Sequence, residues 1–255
     1  MRCAAHDRSM DAAMVALASG VFLVAGVVKG VSGMGLPTVS MALLALLMPP
    51  REAAALLILP SLLTNVAQGV GPHWRTLSRR LWPLWLGTAA GTLLSPFADL
   101  RNAGDGVRAL LGAVLVLYGA YGIAKRRPFA VGRAGALVGS LAGIFSGALS
   151  AATGVFVMPM VPYLQALRLA KNELVQALGL SFTVSTIALG ARVSQLGDVW
   201  HGASTAVVCG TIAALAGLAL GARIRRHVQP DTFRIVVNLV FVLLGVFIIV
   251  RDVMH

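Results

Sequence analysis

Uncharged, strongly apolar stretches recur along the chain and include residues 12–28, 53–72, 81–98, 109–124, 134–167, 174–191, 202–222 and 235–250. Most approach the ~17–25 residues that an α-helix needs to cross hydrocarbon. One segment interrupts this pattern. "GVVKGVSGMGLP", residues 26–37, sets a lysine and four glycines inside an apolar run and closes it with a proline. It predicts a helix that breaks where a continuous one would be expected.

Composition turns these runs into membrane segments. Of the residues, 58% are apolar and 12% charged, against about 25% charged in an ordinary soluble domain, and the mean hydropathy is +0.84. So few charges cannot cover the core of a water-soluble globule of 255 residues. The sequence therefore predicts an all-α polytopic membrane protein. A formal charge of +12 could suggest nucleic acid, but the basic residues sit in short clusters between apolar runs rather than gathered on one polar face. They read as topology signals. Cys3 and Cys209 give neither a disulfide framework nor a metal site, and Cys209 reads as a small packing residue. Arg2 and Arg8 precede an apolar run and Ala16-Leu17-Ala18 within it resembles a cleavage site, as in a cleaved signal. The matching segment later in the chain argues for a retained helix instead.

That match is part of a repeat. "AGVVKGVSGMGLP" at 25–37 recurs as "AGIFSGALSAATGVFVMP" at 142–159, pairing Gly26 with Gly143 and Gly30 with Gly147. After five further residues Pro37 falls on Pro159, and Glu52 on Glu173 nearly in step. "GTAAG" at 87–91 falls on "GLALG" at 217–221, and residues 107–124 overlay 233–250 without a gap, pairing Arg108 with Arg234 and Gly119 with Gly245. On this register Lys29 is matched by Ser146. Each half holds five apolar segments, two short ones flanking the glycine break and three of ordinary length. An odd number inverts the second half relative to the first. The positive-inside rule agrees: Arg75, Arg79 and Arg80, then Lys125, Arg126, Arg127 and Arg133, then Arg223, Arg225 and Arg226 fall on one side, while the opposite loops are nearly balanced, with Asp99, Arg101, Asp105 and Arg108 in one and Arg192 and Asp198 in the other. The expected organisation is a tail at 1–11, a first repeat at 12–124, a basic cytoplasmic linker at 125–133 and a second repeat at 134–255, with both termini outside. Each short pair makes either two thin crossings or one re-entrant hairpin, so the spans number between six and ten.

Inverted repeats that carry short, Gly/Pro-interrupted segments at matching positions point to a transporter with its site near the bilayer midplane. Irregular backbone is tolerated at that depth only where it lines a cavity or is buried in protein. Pro37 and Pro159 suit the first turn of a helix and predict half-helices whose amino ends point inward, an arrangement suited to an anion. Gly33, Gly35 and Gly154 would let backbone approach a ligand, and Ser32, Thr38, Ser150 and Thr153 could add hydroxyl donors. Lys29 is the sharpest candidate, because an ammonium within a spanning segment is rare and functional by default; the alternative is that it snorkels to the interface. Asn65 and Gln68 on one following helix, with Ser181, Thr183, Ser185 and Thr186 on the other, would complete a cavity or bond between helices. Arg192 reads as a boundary anchor, with lining the path as the alternative. Glu52 and Glu173 sit at helix starts, where a carboxylate is favoured by the dipole. Gly87/Gly91 and Gly217/Gly221 have the G-x-x-x-G spacing of close helix packing. Trp74, Trp82, Trp85 and Trp200 fit an interfacial belt.

The paired motifs, followed by a helix with a mid-chain Ser/Thr/Asn cluster, resemble the TauE/SafE sulfite exporter family, also called TSUP, over about residues 15–250 in two copies. Adjacent glycines common in the family's first motif are here separated by Met34, and the second motif is the Ala-rich "ALSAATG". The resemblance implies a bacterial inner-membrane carrier of sulfite, a sulfonate or sulfoacetate, often an exporter. The residues themselves favour an anion: no Asp or Glu falls inside a spanning segment to pair with a dehydrated cation, whereas an anion has two helix ends and Lys29. The expected protein is thus a secondary transporter working by alternating access, with Lys29, Ser32, Gly33, Gly35, Pro37, Thr38, Asn65, Gln68, Ser150, Thr153, Gly154, Pro159, Ser181, Ser185 and Arg192 as substrate-binding candidates. A passive anion channel or a non-transporting scaffold is the alternative. No nucleophile with a base, metal-ligand cluster or phosphate loop marks an enzyme, and no cofactor or nucleic-acid partner is expected. The partners are the anion and the bilayer, with room for a homodimer.

Overall fold

The computed structural model describes residues 2–95, 105–124, 134–195, 204–225, 227 and 230–253. Among them are ten helices and no strand: α1 (Arg2–Ser32), α2 (Leu36–Leu44), α3 (Pro50–Gly69), α4 (Trp74–Leu93), α5 (Asp105–Ile123), α6 (Gly135–Thr153), α7 (Met160–Ala166), α8 (Lys171–Ser194), α9 (Ser204–Ile224) and α10 (Pro230–Val253). Six stretches are long and apolar enough to cross a membrane: Ala12–Ser32, Gly106–Ile123, Gly135–Thr153, Lys171–Ser194, Thr205–Ile224 and Ile235–Asp252. The chain is a multi-pass membrane protein. The linker at 125–133, with Asp99, Arg101, Asp198, Trp200 and Arg226, lies outside the described residues.

Two expectations need correction. The segment before each break is not short. α1 offers a candidate span of 21 residues and α6 one of 19, about 30 Å of helix each, and helical backbone already begins at Arg2, within the expected tail. Only the segments after the breaks are short, α2 with 9 residues and α7 with 7. The reason is that Gly26 and Gly30 do not break the helix. They thin it so that α9 can approach: a Cβ on Gly26 would stand 2.3 Å from the Ala214 carbonyl oxygen, and one on Gly30 2.4 Å from that of Leu218. Gly217 and Gly221 return the contact, their Cβ positions lying 2.3 and 2.2 Å from the Leu23 and Val27 oxygens. The second correction concerns Trp85. Trp74 and Trp82 are more than half exposed, as a belt requires, but Trp85 turns inward and its indole N–H donates to Ser181 Oγ at 2.9 Å.

The α1–α9 packing has a counterpart in α4 and α6, where Gly87 and Gly91 face Gly143 and Gly147, with Cβ positions 2.1–2.3 Å from backbone oxygens of the partner helix. α5 packs on α10, and α3 on α8. Exchanging α1–α5 for α6–α10 in order maps α1–α9 onto α6–α4 and α3–α9 onto α8–α4, and leaves α3–α8 and α5–α10 unchanged. Without a hydrophobic force between helices in lipid, association depends on such close backbone approach. Helix starts follow the sequence: Pro49 and Pro50 open α3 with Glu52 in its first turn, and Glu173 accepts the Ala170 N–H at 3.2 Å to cap α8.

Candidate functional site: a buried lysine beside a helix break

Both breaks are built alike. α1 ends at Ser32 and α6 at Thr153, each followed by a glycine in the left-handed region, Gly33 (φ 81°) and Gly154 (φ 71°). The last hydroxyl of each helix donates back one turn, Ser32 Oγ to the Val28 oxygen at 2.8 Å and Thr153 Oγ1 to that of Leu149 at 2.7 Å. Each then accepts the N–H two residues on, from Met34 and Val155, at 3.2 Å. These hydroxyls are spent on the turn, which ends a helix inside protein without orphaning its backbone. Left-handed backbone is cheap only for glycine. We therefore expect Gly33→Ala to cost about 1–2 kcal/mol from strain alone, its Cβ meeting Val175 at 3.6 Å and Gln68 Nε2 at 3.8 Å, both ordinary contacts. Gly154→Ala should cost more, because its Cβ would lie 2.9 Å from Met41 Sδ; thermal unfolding of both variants in detergent checks the order.

Measured from the breaks, the match of Lys29 shifts. Gly33 N–H bonds to the Lys29 oxygen at 2.7 Å and Gly154 N–H to that of Ser150 at 2.8 Å. Lys29 thus corresponds to Ser150 by its distance from the break and to Ser146 by its distance from the packed glycines. One additional helical turn in α6 separates the two registers. Neither serine stands in for the ammonium: Ser146 Oγ accepts the Met160 N–H at 2.9 Å, where α7 begins, and Ser150 Oγ lies 3.4 Å from Thr92 Oγ1. α7 starts directly after Pro159 and α2 carries Pro37 in its first turn behind Gly35 (φ 104°). No side chain caps α2. Thr38 Oγ1 and Ser40 Oγ on it are buried without a hydrogen-bond partner, as is Ser61 Oγ on α3.

Lys29 does not snorkel. It is 1% exposed and is, among the described residues, the only buried Lys, Arg, Asp, Glu or His. Its ammonium donates to Thr64 Oγ1 at 3.2 Å and to Asn65 Oδ1. Both acceptors are neutral, and the third N–H has no partner among the described residues. Thr64 passes its own proton back to the Pro60 oxygen at 2.8 Å. Because Asn65 turns its carbonyl to Lys29, its amide nitrogen faces α8 and donates to Thr186 Oγ1 at 3.1 Å; that hydroxyl donates in turn to the Phe182 oxygen at 2.7 Å. Asn65 and Thr186 each stand fifteen residues past the first residue of their helix. A buried ion ordinarily costs several kcal/mol unless an opposite charge or a full set of hydrogen bonds compensates it. Here neither is complete.

One turn further along α3, Gln68 Nε2 donates to the carbonyl oxygens of Gly33 (2.6 Å) and Val175 (3.0 Å), tying the first break to α8. Ser61, Thr64, Asn65 and Gln68 therefore form one polar stripe at helical spacing. Among the expected residues, Lys29, Asn65, Gln68 and Gly33 come together around this stripe. Ser181 is engaged by Trp85, Ser185 Oγ donates back to the Ser181 oxygen at 2.9 Å, and Arg192 reaches the Leu93 oxygen at 3.3 Å near the ends of α8 and α4. Thr64, not among the expected residues, joins this stripe as an acceptor for Lys29; its place four residues before Gln68 on the same face is the available sequence signal.

No curated protein and no solved structure matches the chain. The family described as Sulfite exporter TauE/SafE matches residues 18–248, nearly the whole length. That span takes in both glycine breaks, all four packed glycine pairs and the Lys29–Asn65–Thr186 cluster. The chain belongs to the TauE/SafE sulfite exporter family, a family of membrane transporters.

Proposed function

We propose that the protein is a secondary transporter of a small sulfur-containing anion, such as sulfite, a sulfonate or sulfoacetate, that binds at Lys29 beside the first break. One observation carries the reading: a fully buried lysine whose Nζ reaches, among the described residues, only the neutral oxygens of Thr64 and Asn65. An anion supplies the missing charge, and a cation would add to the cost. The matched packing of α1–α5 and α6–α10 supports an inverted repeat. Asn65 and Thr186 are then equivalent positions in contact, so they lie on the pseudo-twofold axis and hence near the midplane, where such carriers hold their substrates. The site is asymmetric, since Lys29 has only serines as counterparts, and it is the first break that Gln68 ties to the same polar stripe. Rocking of one half against the other about this axis would give alternating access. By the positive-inside rule, the arginines at 75–80 and 223–226 face the cytoplasm and both termini the periplasm of a bacterial inner membrane. Direction is outward by analogy with the family's name.

Purified protein in liposomes should accelerate exchange of internal sulfite or sulfoacetate against external labelled anion, with saturation and counterflow. Unsaturable flux would make it a channel, and no flux of either anion would overturn the reading.

A further inference from the structure

Among the described residues, Asn65 is the only side chain that holds both the ammonium of Lys29 on α1 and a hydroxyl on α8. It accepts from Lys29 through Oδ1 and donates to Thr186 Oγ1 through Nδ2 at 3.1 Å. All four side chains of the chain Thr64–Lys29–Asn65–Thr186 are buried. An amide oxygen is a weak substitute for an anion: it offers the ammonium a dipole where an oxyanion offers a full opposite charge, and the direct Coulomb attraction between unit charges is strong away from water. We propose that Asn65 is the resting counter-ligand of Lys29, that an incoming oxyanion displaces it, and that the displacement releases the Asn65–Thr186 bond fastening α3 to α8. This rests on the carrier reading above and adds to it how occupancy is communicated between the halves. Asn65 and Thr186 are positioning residues on this view, acting through Lys29.

The geometry makes the exchange internally consistent. The amide is held by both ends at once, oxygen to α1 and nitrogen to α8. Losing the lysine frees it to swing, and its donor no longer has a fixed direction towards Thr186. A bond present only in the empty state opposes binding, so weakening it raises affinity by the factor it contributed. Hydrogen bonds between membrane helices average roughly 0.6 kcal/mol, or about threefold.

Titration calorimetry with sulfoacetate as the probe distinguishes the possibilities. Thr186→Val, which keeps the shape and removes the acceptor, should tighten binding about threefold. Asn65→Asp, which gives Lys29 a carboxylate that an anion cannot easily displace, should weaken it by about tenfold or more. A purely structural role for the pair predicts that Thr186→Val weakens binding or leaves it unchanged, and that result overturns the exchange. So does undiminished affinity in Asn65→Asp. If the unsubstituted protein binds no sulfoacetate and carries out no anion counterflow, the carrier reading falls and the exchange with it; if it binds the probe and only the variants depart from expectation, the exchange alone is wrong.

Discussion

Gly91→Val should yield little or no folded protein. A Cβ at Gly91 would lie 2.1 Å from the Ile144 carbonyl oxygen and 2.8 Å from both its carbonyl carbon and its Cα. All three are backbone atoms of α6, so no rotamer change can relieve the clash; α4 and α6 must separate. Separation also pulls apart Gly87 from Ser140 and Gly147 from Thr88, whose Cβ-to-oxygen distances are 2.3 Å each. Overpacking of a core by a few atoms costs about 1–3 kcal/mol, and loss of close approach along a whole helix pair should exceed about 3 kcal/mol. Gly221→Val, 2.2 Å from the Val27 oxygen, should fail equally because it disrupts the matching pair. Gly20→Ala is the control: nothing lies within 4 Å of its Cβ, and a glycine-to-alanine change inside a helix should stabilise by about 0.5–1 kcal/mol. Size-exclusion profiles and melting temperatures in detergent check all three. A folded Gly91→Val protein with an unshifted melt would refute the packing.

The sequence made some of these glycines readable and disguised others. Gly87/Gly91 and Gly217/Gly221 stand in otherwise unbroken apolar runs, so their four-residue spacing is the visible feature and packing the natural inference. Gly26 and Gly30 have the same spacing but share a stretch with Lys29, Gly33, Gly35 and Pro37. The whole stretch therefore reads as one break, and the predicted first segment is too short. Only the partner helix distinguishes the roles: α9 covers Gly26 and Gly30, whereas Gly33 and Gly35 adopt positive φ. The additional turn in α6 has the same origin, because sequence alignment fixes register on glycines and cannot know that the break falls four residues later relative to them.

The polar residues show a related limit. Proline positions predicted the half-helix starts, and the lysine's rarity singled it out, since both follow from local chemistry. Which hydroxyls are free is not local. Ser32 and Thr153 are consumed by their own turns, Ser181 by an indole from α4, and Thr38 is left buried without a partner. Nothing in the sequence near Ser181 announces Trp85, which is 96 positions away and resembles its belt neighbours until the helix is packed.

Lys29→Met should abolish anion transport while leaving the protein as stable as before or more so. Methionine keeps most of the volume and removes the charge. The ammonium now sits in the core against two neutral oxygens, with no carboxylate partner, and replacing poorly compensated buried ions by apolar residues is commonly neutral or stabilising by about 1–4 kcal/mol. Offsetting this, Asn65 Oδ1 loses its donor, at a cost of about 1–3 kcal/mol, so the net change in melting should be small or upward. Transport has no such compensation. Removing one partner of a buried, hydrogen-bonded charge pair costs about 2–5 kcal/mol, which is roughly 30- to 5,000-fold in affinity, and counterflow of sulfite or sulfoacetate should fall below detection. Lys29→Arg, which retains charge but changes its shape, should recover a measurable part. The opposite signs are the informative result: a residue kept for stability would melt earlier when replaced, whereas a residue kept for function at a cost in stability would not. Wild-type rates of saturable exchange in Lys29→Met would show that the ammonium does not bind the anion.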